Sequence, residues 1–277
     1  MADAVAKIIL LLVVFLTFVG CTSCATGSYL FGPGNLFRDK RRSFIKIDIY
    51  KSIFISKTST TSNIEQYELE LNSSASGFIV GQEREITLIA TSAHVCSIMF
   101  GDQVKYFIPD YSPKDPSWKL KETASFIMND YRGRSYTAIP IKFDLESDIC
   151  VLGSSKISLP VLMISQSPPI IGEKYYNIAA PMGVWSSKMI PLFEGFFLGL
   201  RKTSYAFSIP TKGGSSGSPI INKYGEVVAA VHSSYRGFEN LCIATTNNQI
   251  FKVYRKSIQR LRKDYDKYKL IIDLINI

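Results

Sequence analysis

Some residues of this sequence could perform covalent chemistry together. They are two histidines, carboxylates and a serine in a glycine- and serine-rich turn. A serine hydroxyl is a poor nucleophile until a base takes its proton, and that base needs a third group to fix its tautomer. The sequence supplies a candidate for each part: His94 in TSAHVC, Asp148 in SDICVLG and Ser216 in GGSSGSPI. Such a set performs nucleophilic attack, provided that the fold brings three distant segments together.

The segments around these residues have the patterns of strands and tight turns. Ser216 lies in TKGGSSGSPI, which leads directly into SPIINKYGEVVAAVHSSY, where two apolar runs flank NKYG. This pattern is typical of two strands joined by a tight turn, so the glycines are expected to shape a loop rather than a flexible linker. From Phe44 onward, many short alternating or apolar runs follow one another without intervening helices. The sequence therefore favours an all-β barrel or sandwich.

The C-terminus differs from this β-rich body. From residue 251 the chain becomes polar and basic, and apolar residues recur at steps of three and four: Tyr254, Ile258, Leu261, Tyr265, Tyr268 and Ile272. This spacing predicts a basic amphipathic helix of about five turns over residues 251–277. Its lysines and arginines are expected to form a solvated outer face, with weak contact to anionic surfaces as the alternative.

Length and charge narrow the class of protein. The chain has 277 residues, is 46% hydrophobic and carries a formal charge of +9. This is enough for one large domain or two half-domains with a proper core. The charge would suit an anionic partner, but no zinc pattern, recognition helix or aromatic-basic signature accompanies it. Nucleic-acid binding is therefore not expected.

The N-terminus has the layout of a secretory signal. One lysine precedes an apolar run over residues 8–19, and small residues follow. The run is short for a membrane span, which takes about 20 residues. We expect a signal peptide over residues 1–25 that is cleaved after Ala25, with an uncleaved anchor as the alternative. Residues 26–43 are predicted to form an irregular basic leader, and the body is expected outside the cytosol, secreted or periplasmic.

Cysteine usage says little about the fold. Without the signal, three cysteines remain, Cys96, Cys150 and Cys242. An odd number of widely spaced cysteines does not indicate a fold held together by several disulfides. One pair could form, but the prediction is that all three are small core residues.

The order of the motifs carries a resemblance to a known family. SGFIVG, TSAHVC, DICVLG and GGSSGSPIINKYGEVV resemble, in this order, the chymotrypsin-fold serine peptidases, especially the compact branch of HtrA-type proteases and glutamyl endopeptidases. The resemblance runs from about residue 52 to residue 253. It implies two six-stranded antiparallel β-barrels, followed by the C-terminal helix, and a peptidase domain over residues 44–250.

The resemblance also implies a role for each candidate residue. His94 is the general base, Asp148 its orienting carboxylate and Ser216 the nucleophile. The backbone N–H groups of Gly214 and Ser216 form an oxyanion hole, which stabilises the negative charge that develops on the substrate carbonyl oxygen. Ser215 stands where pancreatic-type enzymes have an aspartate that pairs with a new N-terminus, so activation by that ion pair is not expected.

Substrate choice is expected to depend on residues near the nucleophile. Pro210 stands where trypsin-like enzymes carry the aspartate that selects lysine and arginine, so cleavage after basic residues is disfavoured. Thr211 matches the pocket threonine of glutamyl endopeptidases, and His232 is a candidate for their pocket histidine, which predicts cleavage after Glu or Gln. Without a gap, Val231 takes the histidine position and small or apolar residues are preferred. Because side chains alternate along a strand, one residue decides the register.

Together these patterns predict an exported serine endopeptidase that acts on polypeptide substrates through an acyl-enzyme, without a metal ion or a cofactor. The alternative is a catalytically silent relative that uses the cleft or the basic helix for binding. The long stretch DYSPKDPSWKLKETASF, residues 110–126, looks like an inserted loop beside the cleft.

Overall fold

Antiparallel strands dominate the computed structural model, which describes residues 39–58, 64–97, 108, 110–112, 114–235 and 237–276. Arg41–Ile277 form one compact unit, and the predicted signal peptide lies outside the described residues. A short 3₁₀ turn, Arg41–Ser43, precedes the first strand. The strands of this unit close into two six-stranded barrels, which confirms the predicted fold class.

The first barrel has the strand order β1-β2-β3-β6-β5-β4. Its strands are β1 (Phe44–Thr58), β2 (Ile64–Glu83), β3 (Ile86–Thr91), β4 (Trp118–Asn129), β5 (Ser135–Asp144) and β6 (Ile149–Ser155). Alternate residues of β1 point into a core of isoleucines and other apolar side chains. A barrel strand requires this alternation, because one face of the strand packs in the barrel core and the other face contacts solvent.

The second barrel has the strand order β10-β11-β12-β9-β8-β7. Its strands are β7 (Lys174–Ile178), β8 (Leu192–Arg201), β9 (Ser204–Phe207), β10 (Pro219–Ile221), β11 (Val227–Tyr235) and β12 (Phe238–Thr246). Aromatic rings fill this core, with Tyr175, Phe197, Tyr205 and Phe207 in edge or tilted contact. A 3₁₀ turn, Pro181–Gly183, follows β7.

Two sequence predictions about single elements are wrong. The stretch read as an inserted loop contains most of β4, whose inner side chains Phe126 and Met128 are buried in the first core. The stretch begins with turn-forming residues, and Glu122 interrupts the apolar alternation of the strand, so the strand was not recognised. Some of the apolar runs expected to be short separate strands also merge: YELELN and SGFIVG both lie in β2, which pairs with β1 along the whole length of β1.

The C-terminal helix begins earlier than predicted and is interrupted once. Helix α2 spans Asn247–Lys263, and helix α3 spans Tyr265–Ile275. Thr246 caps α2 in a capping box with Gln249, in which each side chain bonds to the backbone of the other residue. The motif T-x-x-Q is a sequence signal for a helix start, so the start at residue 247 could have been predicted. Both helices pack on β5 and β6.

The prediction that all cysteines are reduced core residues is also wrong. Cys96 and Cys150 form a disulfide, while Cys242 is free and buried. The two sulfurs meet because β3 and β6 are neighbours in the barrel, a pairing that sequence spacing does not reveal. Within the described residues, no helix is long and apolar enough to cross a membrane.

Candidate active site

His94 and Asp148 are joined by two hydrogen bonds at one end of the first barrel. His94 lies on α1 (Ala93–Cys96), a single helical turn directly after β3. Its backbone N–H donates to Oδ1 of Asp148 (2.9 Å), and its ring Nδ1 lies 2.8 Å from Oδ2. An ionised carboxylate only accepts hydrogen bonds, so Nδ1 carries the proton. Nε2 is left with its lone pair, which is the tautomer that a general base needs.

The environment of His94 keeps the ring accessible. Half of the His94 side chain is exposed, whereas Asp148 is 19% exposed. Asp148 has a φ of 51°, a left-handed conformation in which aspartate is more common than most other residues. Thr245 of β12 donates a hydrogen bond to the carbonyl of Ser147 (2.6 Å), so the second barrel holds the turn that presents Asp148.

Ser216 lies in a turn that is tied to the first barrel. The N–H of Ser76, on β2, donates to the carbonyl of Ser216 (2.9 Å), and Ser76 Oγ donates to the carbonyl of Gly214 (2.8 Å). The same Oγ accepts from the N–H of Ala180 (3.0 Å). Sequence analysis missed Ser76. The available signal was a serine at a position that should be buried in β2, directly before Gly77.

One carbonyl oxygen brings the histidine and serine segments together. The N–H of Gly217 donates to the carbonyl of Val231 (2.7 Å), and Ser92 Oγ donates to the same oxygen (3.1 Å). Gly217 follows Ser216 directly, and Ser92 precedes His94 by two residues. The contact is so close that a Cβ on Gly217 would lie 2.3 Å from Oγ1 of Thr91. The backbone segments that carry the candidate base and the candidate nucleophile therefore meet at this one oxygen.

The turn before Ser216 presents backbone donors. Gly214 has a φ of 93°, which side chains rarely adopt, and its missing Cβ would meet the carbonyl of Ala180 at 2.5 Å. The carbonyl of Gly213 accepts a hydrogen bond from the N–H of Met182 (2.6 Å). Within the described ranges, the N–H groups of Gly214 and Ser216 donate to no other protein atom. Two adjacent donors of this kind suit a developing oxyanion.

Thr211 lines a small cavity beside this turn. The cavity has a volume of about 140 Å³ and is lined by Pro181, Phe193, Pro210, Thr211, Lys212 and Asn240. Thr211 is 3% exposed. Among the described residues, its Oγ1 has no hydrogen-bond partner. A buried hydroxyl without a partner is unfavourable by about 1–3 kcal/mol, and Ser43 Oγ and Ser147 Oγ are in the same state.

His232 lies elsewhere. It is not among the residues that line the cavity beside Thr211. Its ring Nδ1 is 4.0 Å from Oδ2 of Asp148, and its Nε2 is 3.4 Å from Oγ of Ser204. Burial lowers the pKa of His232, although the Asp148 carboxylate partly opposes this effect. The neighbouring residue Val231 points into the second core, as strand alternation requires.

The sequence around these residues matches a known family. The model of the trypsin-like peptidase domain matches residues 75–229, more than half of the chain. The chain belongs to this family. The matched region of the trypsin-like peptidase includes His94, Asp148 and Ser216. No curated protein matches the sequence.

Two solved structures share the fold of this trypsin-like peptidase. The serine endoprotease from Yersinia pestis superposes with a TM-score of 0.56 at 18% identity, covering 82% of this chain and 66% of its own. A protease from M. tuberculosis in its active form superposes with a TM-score of 0.55 at 13% identity, covering 80% and 83%. The chain thus spans just under two thirds of the Yersinia protein. At these identities the likeness is one of fold.

Proposed function

We propose that this trypsin-like peptidase is an exported serine endopeptidase that hydrolyses peptide bonds through His94, Asp148 and Ser216. The observation that carries the proposal is the double hydrogen bond from His94 to Asp148, beside a Ser216 turn that shares the carbonyl of Val231 with the histidine segment. A base, an orienting carboxylate and a hydroxyl are the minimum set for acyl transfer.

The proposed reaction has two steps, acylation of Ser216 and hydrolysis of the acyl-enzyme. Nε2 of His94 takes the proton of Ser216 Oγ as the oxygen attacks the peptide carbonyl carbon. The resulting oxyanion is stabilised by the N–H groups of Gly214 and Ser216, each worth about 100- to 1,000-fold in rate. The histidinium then gives its proton to the leaving amine, and an acyl-enzyme remains. Water repeats the sequence with the same base, which releases the acid product and regenerates Ser216.

An active-site probe tests the function directly. A fluorophosphonate probe is expected to label the wild-type protein at Ser216 and to leave Ser216→Ala unlabelled. His94→Gln is expected to label at least about 100-fold more slowly, because general-base catalysis contributes 10²- to 10⁴-fold. Peptide turnover should survive chelators. A folded wild-type protein that neither labels nor cleaves a peptide library would instead support the silent binding protein.

Preference for Glu or Gln before the cut bond is part of the proposal and rests on Thr211. Its buried, unpartnered hydroxyl can pair with a polar substrate side chain, and a site built to pair in this way rejects analogues that cannot. The predicted second pocket residue, His232, has its Nδ1 4.0 Å from Oδ2 of Asp148 and is not among the residues that line the cavity beside Thr211, so the proposed preference rests on Thr211.

Thr211→Val tests this preference with nearly unchanged shape. Since Oγ1 has no described partner, the variant should fold with equal or greater stability. Cleavage after Glu and Gln should fall about tenfold or more relative to cleavage after Ala or Leu. Library profiling that shows a wild-type preference for apolar residues would contradict the role of Thr211.

Export is supported by the disulfide. Cys96 and Cys150 are fully or nearly fully buried and bonded, and structural disulfides persist in oxidising compartments. Sequencing of the mature N-terminus is expected to find Thr26 first. A mature chain that retains the apolar run of residues 8–19 would show an anchored protein instead.

A further inference from the structure

The two C-terminal helices keep one common face toward the barrels. The buried residues of α2 and α3 recur at helical spacing through both: Ile250, Val253, Ser257, Leu261, Tyr268 and Ile272. At the junction, the N–H of Asp264 donates to the carbonyl of Arg260, and the N–H of Tyr268 donates to the carbonyl of Asp264. These i to i−4 bonds carry the helical register through the interruption. The outward faces of α2 and α3 therefore form one continuous surface.

This outward surface combines cations with exposed leucines. Its central stripe follows steps of three, four and seven residues and consists of Lys252, Lys256, Lys263, Lys267, Leu270 and Leu274, all exposed. We call it the lysine-leucine face. Leu270 and Leu274 are 61% and 62% exposed. The opposite side of these helices already supplies the buried apolar contacts. The two solvent-exposed leucines are therefore not needed for folding.

The charge of this face is only partly balanced within the chain, by Asp266 of α3, which is exposed and three residues after Lys263. Helix α2 has six basic side chains and no acidic one. In the part of the chain that the structure describes, the stripe lysines make no ion pair, whereas Arg262 pairs with Glu83 and Lys269 with Asp273. Lys252 and Lys256 lie four residues apart, a spacing at which like charges destabilise a helix. The charges therefore serve something other than helix stability.

We propose that the lysine-leucine face binds an anionic lipid surface. Lysines along one side of a helix attract anionic headgroups, and apolar side chains beside them enter the boundary between headgroups and acyl chains. The two exposed leucines favour lipid over nucleic acid, because a phosphate backbone rewards cations but offers nothing to leucine. The residues of this face are exposed and distinct from those that pack on the barrels, so binding requires no unfolding.

Vesicle co-sedimentation of the full chain tests whether the lysines of this face bind anionic headgroups. Wild-type protein is expected to bind vesicles with 30% phosphatidylglycerol at least tenfold more tightly than pure phosphatidylcholine vesicles, with the difference lost in 0.5 M NaCl. Comparing the two lipids cancels any contribution of the apolar N-terminal run.

The triple variant Lys252→Gln/Lys256→Gln/Lys263→Gln should abolish the difference in binding between the two lipids. The matched control, Lys114→Gln/Lys119→Gln/Lys223→Gln, removes three exposed lysines elsewhere and should retain it. Equal loss in both variants would reduce the effect to net charge and overturn the proposal.

A second variant tests the lipid part. Leu270→Asn/Leu274→Asn changes two exposed side chains and should fold normally, which the urea unfolding midpoint checks. It is expected to bind anionic vesicles at least fivefold more weakly while its binding to heparin stays unchanged. If the variant binds both as the wild type does, the face recognises polyanions in general, and the proposal of a bilayer surface is wrong. Neither readout depends on peptidase activity.

Discussion

At the scale of single residues, backbone geometry constrains the candidate site as much as its reactive groups do. Gly214 and Gly217 both have a positive φ, and each lies where a Cβ would collide with backbone atoms of another segment. Gly213 lies in the same turn but meets nothing within 4 Å. The glycines of this turn are therefore not equivalent, although the sequence presents them alike.

Gly217→Ala should disrupt both the fold and the site. The new Cβ would lie 2.3 Å from the carbonyl oxygen of Ser76 and from Oγ1 of Thr91, in a backbone conformation that alanine disfavours. We expect the free energy of unfolding to fall by about 2–4 kcal/mol and kcat to fall about 100-fold or more. Urea unfolding and peptide turnover measure the two effects. Gly213→Ala is the control and should stay within twofold of wild type, and equal damage from both would contradict this account.

His232 should make stability depend on pH. Burial is the main cause that lowers its pKa, Asp148 opposes the shift and His94 adds to it. The unfolded chain therefore binds a proton near pH 6.5 that the folded chain takes up only at lower pH. By linkage, the free energy of unfolding falls as pH falls below about 6.5. Urea unfolding at pH 7.5 and 5.5 should show this loss in wild type and a smaller loss in His232→Asn. Identical losses would show that His232 is not responsible.

At the scale of elements, a disulfide connects the segments that carry the candidate base and carboxylate. Cys96 follows His94 by two residues on α1, and Cys150 follows Asp148 by two residues at the start of β6. The bond therefore restrains α1 relative to β6 directly behind the hydrogen bonds between the two side chains. Cys242, in the other barrel, has no such role, and burial raises the pKa of its thiol to about 12.

Removal of the disulfide should weaken both stability and turnover. Cys96→Ala/Cys150→Ala frees a loop of 54 residues, and we expect the free energy of unfolding to fall by about 2–4 kcal/mol. The value of kcat should fall more than KM changes, because α1 then holds His94 less firmly. Cys242→Ala is the control and should change kcat less than twofold. Alkylation of the native protein should leave Cys242 unmodified, since its thiolate is scarcely populated.

At the scale of the whole molecule, the site depends on contacts between the barrels. Ser76 of the first barrel holds the turn of Gly214 and the segment at Ala180 in the second. Thr245 of the second barrel holds the turn before Asp148 in the first. Each barrel thus positions a part of the other barrel's chemistry, so that relative movement of the barrels would separate the candidate residues.

Ser76→Ala tests the coupling between the barrels. The variant leaves the N–H of Ala180 and the carbonyl of Gly214 without their partner, and we expect a loss of about 1–3 kcal/mol in unfolding free energy. The value of kcat should fall at least tenfold, because the Ser216 turn loses an anchor. Ser43→Ala is a matched control, since Ser43 Oγ is also buried but has no described partner. Its stability should be unchanged or higher, and a loss equal to that of Ser76→Ala would contradict the argument.

The two-barrel class and the predicted roles of His94, Asp148 and Ser216 came from the resemblance to a family. The sequence by itself determined an all-β fold and the strands with strong apolar patterns. These depend on local composition, which alternation and turn chemistry express within a few residues. Strand β4 was not predicted because it follows turn-forming residues and Glu122 interrupts its apolar alternation, so that its identity depends on pairing with β1.

Only the tertiary structure decided the partners of individual side chains. The Cys96–Cys150 bond exists because β3 and β6 are neighbours, and Ser76 reaches the Ser216 turn because the barrels meet there. The prediction that His232 lines a substrate pocket stays a prediction, and only the structure revealed that its ring lies 4.0 Å from the Asp148 carboxylate. The pairing of β11 with β12 skips His232, and such an irregularity, which changes side-chain direction, is a property of the sheet rather than of local sequence.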